Sequence, residues 1–171
     1  MPKFSPKDLP ADAWQQLRGQ RDYAFRANSD ETLFFRFGHG HGIYISITPA
    51  IAGRAVNVID IDTSETTLAG KIPNNESVLI GRTSECAVKI MHAIISRHHL
   101  KLQLVGNVLI VQDLGSTNGT FYLTDLIHFD IVSYLETHPL EGMEERTMDT
   151  IHEAFGPTLN DFLRSYSQKK E

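Results

Sequence analysis

The chain has 171 residues, 41% hydrophobic and 22% charged, with a formal net charge of −5. That length suits one domain with an extension at one or both ends, and the composition, with no apolar run near the ~18 residues of a membrane span, excludes a disordered or membrane-spanning chain. The acidic balance argues against general nucleic-acid binding; the single Cys86 and the opening MPKFSPKDLP, which has no apolar leader core, place the expected compartment in the reducing cytoplasm with no membrane partner.

Residues 1–30 are rich in polar and charged side chains, with Pro2, Pro6 and Pro10 early, and ADAWQQLRGQR predicts a short helix carrying Trp14 and Leu17 inward. This stretch reads as an N-terminal extension packed on the main domain. From Thr32 the texture changes to the short β-branched or aromatic runs TLFFRF, GIYISIT and AVNVIDI, separated by the turn-forming GHGHG and PAIAGR. SVLI, AVKIM and HLKLQL follow, and in the last of these Leu100, Leu102 and Leu104 alternate with Lys101 and Gln103 as in a half-buried strand. Gly106-Asn107 reads as a two-residue hairpin loop, NVLIVQ returns, DLGSTNGT turns and TFYL leaves. Roughly nine short strands at this spacing predict a mainly β, antiparallel β-sandwich.

After Leu123, TDLIHFDIVSYLE fits two templates, since Ile127, Phe129 and Ile131 alternate while Ile127, Ile131, Tyr134 and Leu135 also suit a helix. It is read as a last strand, giving a sandwich over 31–137. In 138–171, Met148, Ile151 and Phe155 fall at helical spacing, Gly156-Pro157 breaks the pattern, and Thr158 with Asp161 resembles a cap before Leu159, Phe162, Leu163 and Tyr166. An amphipathic helical tail is therefore expected.

Within 81–101 the cations Arg82, Lys89, Arg97 and Lys101 stand against Glu85, with His92, His98 and His99 nearby, so a positive segment lies inside an acidic protein. Gly81-Arg82 directly follows SVLI, Ser96-Arg97-His98-His99 precedes HLKLQL, and Ser116-Thr117-Asn118-Gly119-Thr120 precedes TFYL. In this order and spacing the segments, a motif core over 81–120, resemble the forkhead-associated (FHA) domain family. The resemblance implies a β-sandwich whose end loops bind phosphothreonine peptides. It therefore implies a non-catalytic module of signalling or regulated assembly, partnered by a Thr-phosphorylated protein or peptide, with no cofactor or metal. By the same resemblance Ser96 and Arg97 contact the phosphate, Thr117 meets the phosphothreonine region and Asn118 holds the ligand's extended backbone. His99 braces the loops from inside, and Gly81, Gly119 and Thr120 complete the structural motif.

These residue types suit those roles physically. A phosphorylated side chain carries about −1.5 to −2 charges and strong acceptor oxygens, which call for a fixed fork of donors with smaller hydroxyl or amide groups beside it. Arg82, at a strand end, supplies a planar guanidinium able to give two parallel hydrogen bonds, which the ammonium of lysine would not reproduce. The amide of Asn118 both donates and accepts, where an Asp would only accept and would repel the phosphate. Gly81 leaves space beside Arg82, and Gly119 permits a positive φ that aims Asn118 outward. His98 is a rim residue.

Rival readings are weaker. Ser96 and His99 invite a nucleophile–base pairing, but no nucleophile elbow is present and the third residue along a strand points to the opposite face. His39 and His41 in GHGHG could bind a metal, but lack Cys or carboxylate partners at suitable spacing and read first as a hairpin turn. The stretch after Leu123 lacks the family's usual Asn-Gly turn and Asp-Gly-Asp segment, which leaves a phosphate-independent scaffold on a diverged sandwich as the alternative. Thr63, Thr66 and Thr67 within DTSETT, at 62–67, raise self-association through a phosphorylated copy.

Overall fold

The protein, seen in a computed structural model, is described over residues 11–26, 31–38, 43–59, 65–123 and 128–131. Its strands are β1 (Trp14–Gln16), β2 (Asp22–Arg26), β3 (Leu33–Phe37), β4 (Ile43–Ala50), β5 (Gly53–Ile59) and β6 (Thr66–Pro73), then β7 (Ser77–Gly81), β8 (Val88–Lys89), β9 (Leu100–Val105), β10 (Val108–Asp113), β11 (Thr120–Leu123) and β12 (His128–Asp130). They form two six-stranded sheets, β1-β11-β3-β4-β5-β6 and β12-β2-β10-β9-β7-β8. Pairing is antiparallel throughout except for the short β7–β8 pair, which is parallel. The mainly β sandwich expected from the sequence is thus present.

Alternation builds the core. Leu100, Leu102 and Leu104 of β9 are buried while Lys101 between them is exposed, and Leu33, Phe35 and Phe37 of β3 follow the same period. The side chains of the two sheets meet in one cluster in which Phe25 packs edge-on against Phe35 and Tyr122, with ring centroids 5.3 Å apart in both pairs. A second cluster, of Trp14, Tyr44, Phe121 and Leu123, lies on the other face of the first sheet. Between two such clusters β4 is buried continuously from Ile43 to Ile47. Arg54, almost fully buried, donates to the carbonyl oxygens of Glu31 (2.6 Å) and Ile47 (3.4 Å), and its burial lowers the guanidinium pKa against the opposing pull of Glu31.

Two expectations change. ADAWQQLRGQR is not a helix: a single 3-10 turn at Ala11–Ala13 leads into β1, which pairs with β11, and the Leu17 N–H donates to the Thr120 carbonyl at 2.9 Å. Trp14 and Leu17 are buried all the same, because strand pairing and the chain's turn inward satisfy the three-residue spacing that also fits a helix. Secondly, residues 14–26 are part of the sandwich itself and not an extension packed on it, since β1 contributes to one sheet and β2 lies between β10 and β12 in the other. Thr66 and Thr67 are the exposed first residues of β6 and pair with Ile59 and Val58. The strand template wins for His128–Asp130. The GHGHG turn, Thr63 and the helical tail over 138–171 lie outside the described residues.

This topology gathers several strand ends at one end of the sandwich. β7 finishes at Gly81 where β9 begins, with Ile80 opposite Leu100, and β10 finishes at Asp113, also opposite Leu100. β11 starts at Thr120, opposite Phe37 at the end of β3. Segments 81–82, 96–99 and 113–120, far apart in sequence, therefore share one rim.

Candidate functional site

The turn DLGSTNGT is organised by its first residue. Asp113 Oδ1 accepts the backbone N–H of Gly115 (2.9 Å) and Ser116 (2.8 Å), and Oδ2 accepts Ser116 Oγ (2.6 Å) and Thr120 Oγ1 (2.7 Å). Ser116 Oγ accepts in turn from the Gly119 N–H at 3.1 Å. This local side-chain bonding is the Asx-type turn chemistry that Asp and Ser favour. Gly115 and Gly119 sit at φ +80° and +85°, where an L side chain is disfavoured. Asp113, Ser116 and Thr120 are thereby occupied within the turn, while Thr117 and Asn118 are exposed.

His99 fastens that turn to the next loop. The ring is fully buried, edge-on to Phe37 at 4.5 Å between centroids; Nδ1 accepts the Ser96 N–H at 3.1 Å and Nε2 lies 3.3 Å from the Gly119 carbonyl oxygen. An imidazole that accepts at Nδ1 and donates at Nε2 is neutral. Burial holds its pKa below the ordinary histidine value, with the Asp113 charge, 4.0 Å from Nε2, and the Gly119 carbonyl pulling the other way.

Gly81 and Arg82 dock the third segment through the backbone. The Arg82 N–H donates to the carbonyls of Ser96 (3.2 Å) and Arg97 (3.1 Å), and the Ile90 N–H donates to the Gly81 carbonyl at 2.9 Å. Cys86 Sγ, 3.4 Å away, also donates to the Arg97 oxygen. A Cβ at Gly81 would collide with that oxygen and come within 2.8 Å of Cys86 Sγ, so glycine is required by close approach. Two contacts cross from loop to loop: Ser96 Oγ accepts the Thr117 N–H (3.1 Å), and Asn118 Nδ2 donates to the Ile94 carbonyl (3.0 Å).

These braces shape an open groove of about 500 Å³ lined by Arg82, Ser96, Arg97, Thr117 and Asn118, with the apolar loop at Ala93 and Ile94 beside them. All five side chains expected to contact a ligand are thus brought to one groove. Arg82 and Arg97 are exposed, and among the described residues neither guanidinium has a carboxylate partner. Ser96 Oγ, accepting from Thr117, keeps its own proton to donate. His98 stands at the rim, its Nε2 2.9 Å from Glu85 Oε2, both side chains well exposed. The groove therefore offers two planar cations, a hydroxyl donor and a fixed amide to a ligand of compact negative charge.

The Ser96–His99 pair is not assembled as nucleophile and base. Both imidazole nitrogens are committed to backbone partners, and Ser96 Oγ faces the Thr117 amide. Among the described residues no group of three or more His, Cys, Asp or Glu side chains is placed to hold a metal ion, and none of their helices is long and apolar enough to cross a membrane. His39 and His41 lie outside them. Sequence reasoning overlooked Asp113 and Ser116, although an Asp opening a Gly-Ser-Asn turn is itself a signal for such bracing. It also overlooked the apolar loop 90–95, whose residues carry no polar side chain to draw notice apart from His92.

Residues 78–130 match the family model for the FHA domain. The matched segment runs from β7 to β12 and contains Gly81-Arg82, Ser96 to His99 and Asn118 to Thr120, so the resemblance read from those residues is shown. No curated protein and no solved structure gave a match. FHA domains are in general phosphoprotein-binding interaction modules and are typically non-catalytic.

Proposed function

We propose that the protein binds phosphothreonine peptides through the groove between residues 82, 96–97 and 117–118, and that loss of the phosphate releases the ligand. One observation carries this reading: Arg82 and Arg97 are exposed in the same groove as the Ser96 hydroxyl and the Asn118 amide, with no carboxylate of the described residues neutralising them. The preference for threonine over serine rests on the family resemblance, as does a role in signalling or regulated assembly. The buried free thiol of Cys86 suits the reducing cytoplasm as the place of action.

Charge-assisted hydrogen bonds contribute roughly 1.5–3 kcal/mol each. A few of these, with a short backbone contact through Asn118, correspond to affinity near micromolar, about −8 kcal/mol. The test is fluorescence anisotropy with an oriented library of phosphothreonine peptides, their unphosphorylated counterparts, and the Arg82→Ala variant. Removing Arg82 should weaken the best phosphopeptide by about tenfold to a hundredfold, and removing the phosphate should abolish useful binding. Equal affinity for phosphorylated and unphosphorylated forms would sink the reading and favour a phosphate-independent scaffold.

A further inference from the structure

Two neighbouring strands, β2 and β10, carry apolar residues on both faces. Tyr23 and Phe25 of β2 and Leu109 and Val111 of β10 point into the core between the sheets, so Ala24, Val108 and Ile110 point away from it. An antiparallel sheet that meets water on its outer side carries polar residues there, whereas the unbroken runs Tyr23-Ala24-Phe25 and Val108 to Val111 are those of strands covered on both sides. The burial agrees with the pattern. Ala24 and Val108 are 0% exposed and Ile110 is 3% exposed.

That burial falls off along the same face. Gln103 of β9, opposite Ile110, is half-buried, and Ser77 of β7, opposite Gln103, is exposed. The cover is therefore a band over β2 and β10 that thins out at β9. With strands ~4.8 Å apart, such a band is about as wide as one α-helix, ~10 Å. Among the described residues β2 has its main contacts with β10 and β12, and β10 with β2 and β9, so none of the described strands forms the band. The burial is that of a single chain, so the cover belongs to the chain itself.

Residues 132–171 are the longest stretch outside the described residues and the one that starts beside this face. β12 lies next to β2 at the edge of the sheet, and at Ile131, directly after it, the backbone turns helical and the side chain is fully buried. Their sequence suits the place. Met148, Ile151 and Phe155, then Leu159, Phe162, Leu163 and Tyr166, recur at helical spacing among Glu144, Glu145, Asp149, Glu153 and Asp161. A helix with such a stripe is stable only with that stripe buried, and the apolar outer face of β2 and β10 is its counterpart.

We infer that the segment 138–171 is a helical third layer of the sandwich, its apolar stripe seated on Ala24, Val108 and Ile110. The layer lies across a face and the groove lies at an end, so covering the one leaves the other open.

The experiment is limited trypsin digestion of the full chain in native buffer, paired with urea denaturation followed by Trp14 fluorescence. Arg146 and Arg164 are the arginines of the segment. In the wild type both sites should be protected, and Ala24→Glu, which sets a charge under the layer, should raise their cleavage at least about tenfold. The double variant Phe155→Ser with Phe162→Ser should lower the urea midpoint by about 1 M. Rapid cleavage at Arg146 in the wild type that leaves a fragment with the full-length midpoint would overturn the inference. So would protection unchanged by Ala24→Glu, or a double variant with the wild-type midpoint. Protection that disappears on dilution would put the segment of a second copy on this face and overturn it as well.

Discussion

Asp113 offers the strictest test of how the turn over 113–120 is held. Its carboxylate accepts from Gly115 N, Ser116 N, Ser116 Oγ and Thr120 Oγ1, and of these residues Thr120 is fully buried, Ser116 half-buried and Gly115 exposed. In Asp113→Ala the donors at Gly115 and Ser116 recover water, so each loss there is small. The Thr120 hydroxyl is stranded and costs about 1–3 kcal/mol alone. The expected destabilisation is roughly 3–4 kcal/mol, a large part of the ~5–15 kcal/mol typical of a domain. Asp113→Asn keeps the shape and one acceptor oxygen, and about half that loss is expected. Urea denaturation followed by tryptophan fluorescence measures both, since Trp14 is the only tryptophan. The midpoint should fall by about 2 M for the alanine variant with the slope unchanged. Peptide affinity of Asp113→Asn should drop about tenfold while Arg82 is untouched, because Thr117 and Asn118 lose their fixed geometry. An alanine variant within about 1 kcal/mol of the wild type would refute the bracing role.

Other consequences are equally specific. Gly81→Ala forces a Cβ against the Arg97 carbonyl and Cys86 Sγ, and should cost about 3 kcal/mol, measured as a lower melting temperature, with peptide binding weakened because Ser96 and Arg97 must shift. His99 titrates at its ordinary ~6.5 when unfolded and below that when folded, so the unfolded chain binds the extra proton first. Its contribution is therefore whole above about pH 6.5 and is lost as pH falls towards the folded-state value; denaturation midpoints of wild type and His99→Gln should converge over that window, and parallel profiles would exclude the linkage. Arg54→Met removes a buried cation together with the donors to Glu31 and Ile47, and should cost about 2–3 kcal/mol in urea denaturation.

Where burial alternates, the fold was readable from residues alone. β9 shows Leu100, Leu102 and Leu104 against Lys101, and the Val105–Val108 pair closes the hairpin at Gly106-Asn107 where turn chemistry placed it. β6 left no such trace because it is an edge strand: from Thr66 to Pro73 only Ile72 is fully buried, so its apolar residues follow no period. β1 misled because Trp14 and Leu17 are three apart, a helical spacing, and nothing local reveals that Gln15 and Gln16 pair with β11. In β2 the alternation of Tyr23 and Phe25 was present, but its polar flanks disguised a strand in the interior of a sheet. At the site, Arg82, Ser96 and Asn118 were legible because Gly81-Arg82, Ser96-Arg97-His98-His99 and Asn118-Gly119-Thr120 stand in the order and spacing of a known family motif.

The polar side chains of this rim divide by direction, and that division suits the proposed binding role. Asp113, Ser116, Thr120 and His99 are consumed by one another and by the backbone, in a neutral-imidazole and carboxylate network that needs no ligand to be complete. Arg82, Arg97 and the proton of Ser96 are left facing the groove. Rigid internal pairing lowers the entropy lost when a ligand arrives, so modest contacts suffice for a reversible interaction. A catalytic site would distribute its groups differently, leaving His99 free to exchange a proton with Ser96. Here the histidine that could act as base is the bolt between the two loops that present Ser96 and Asn118, and releasing it for chemistry would dismantle the geometry that presents them.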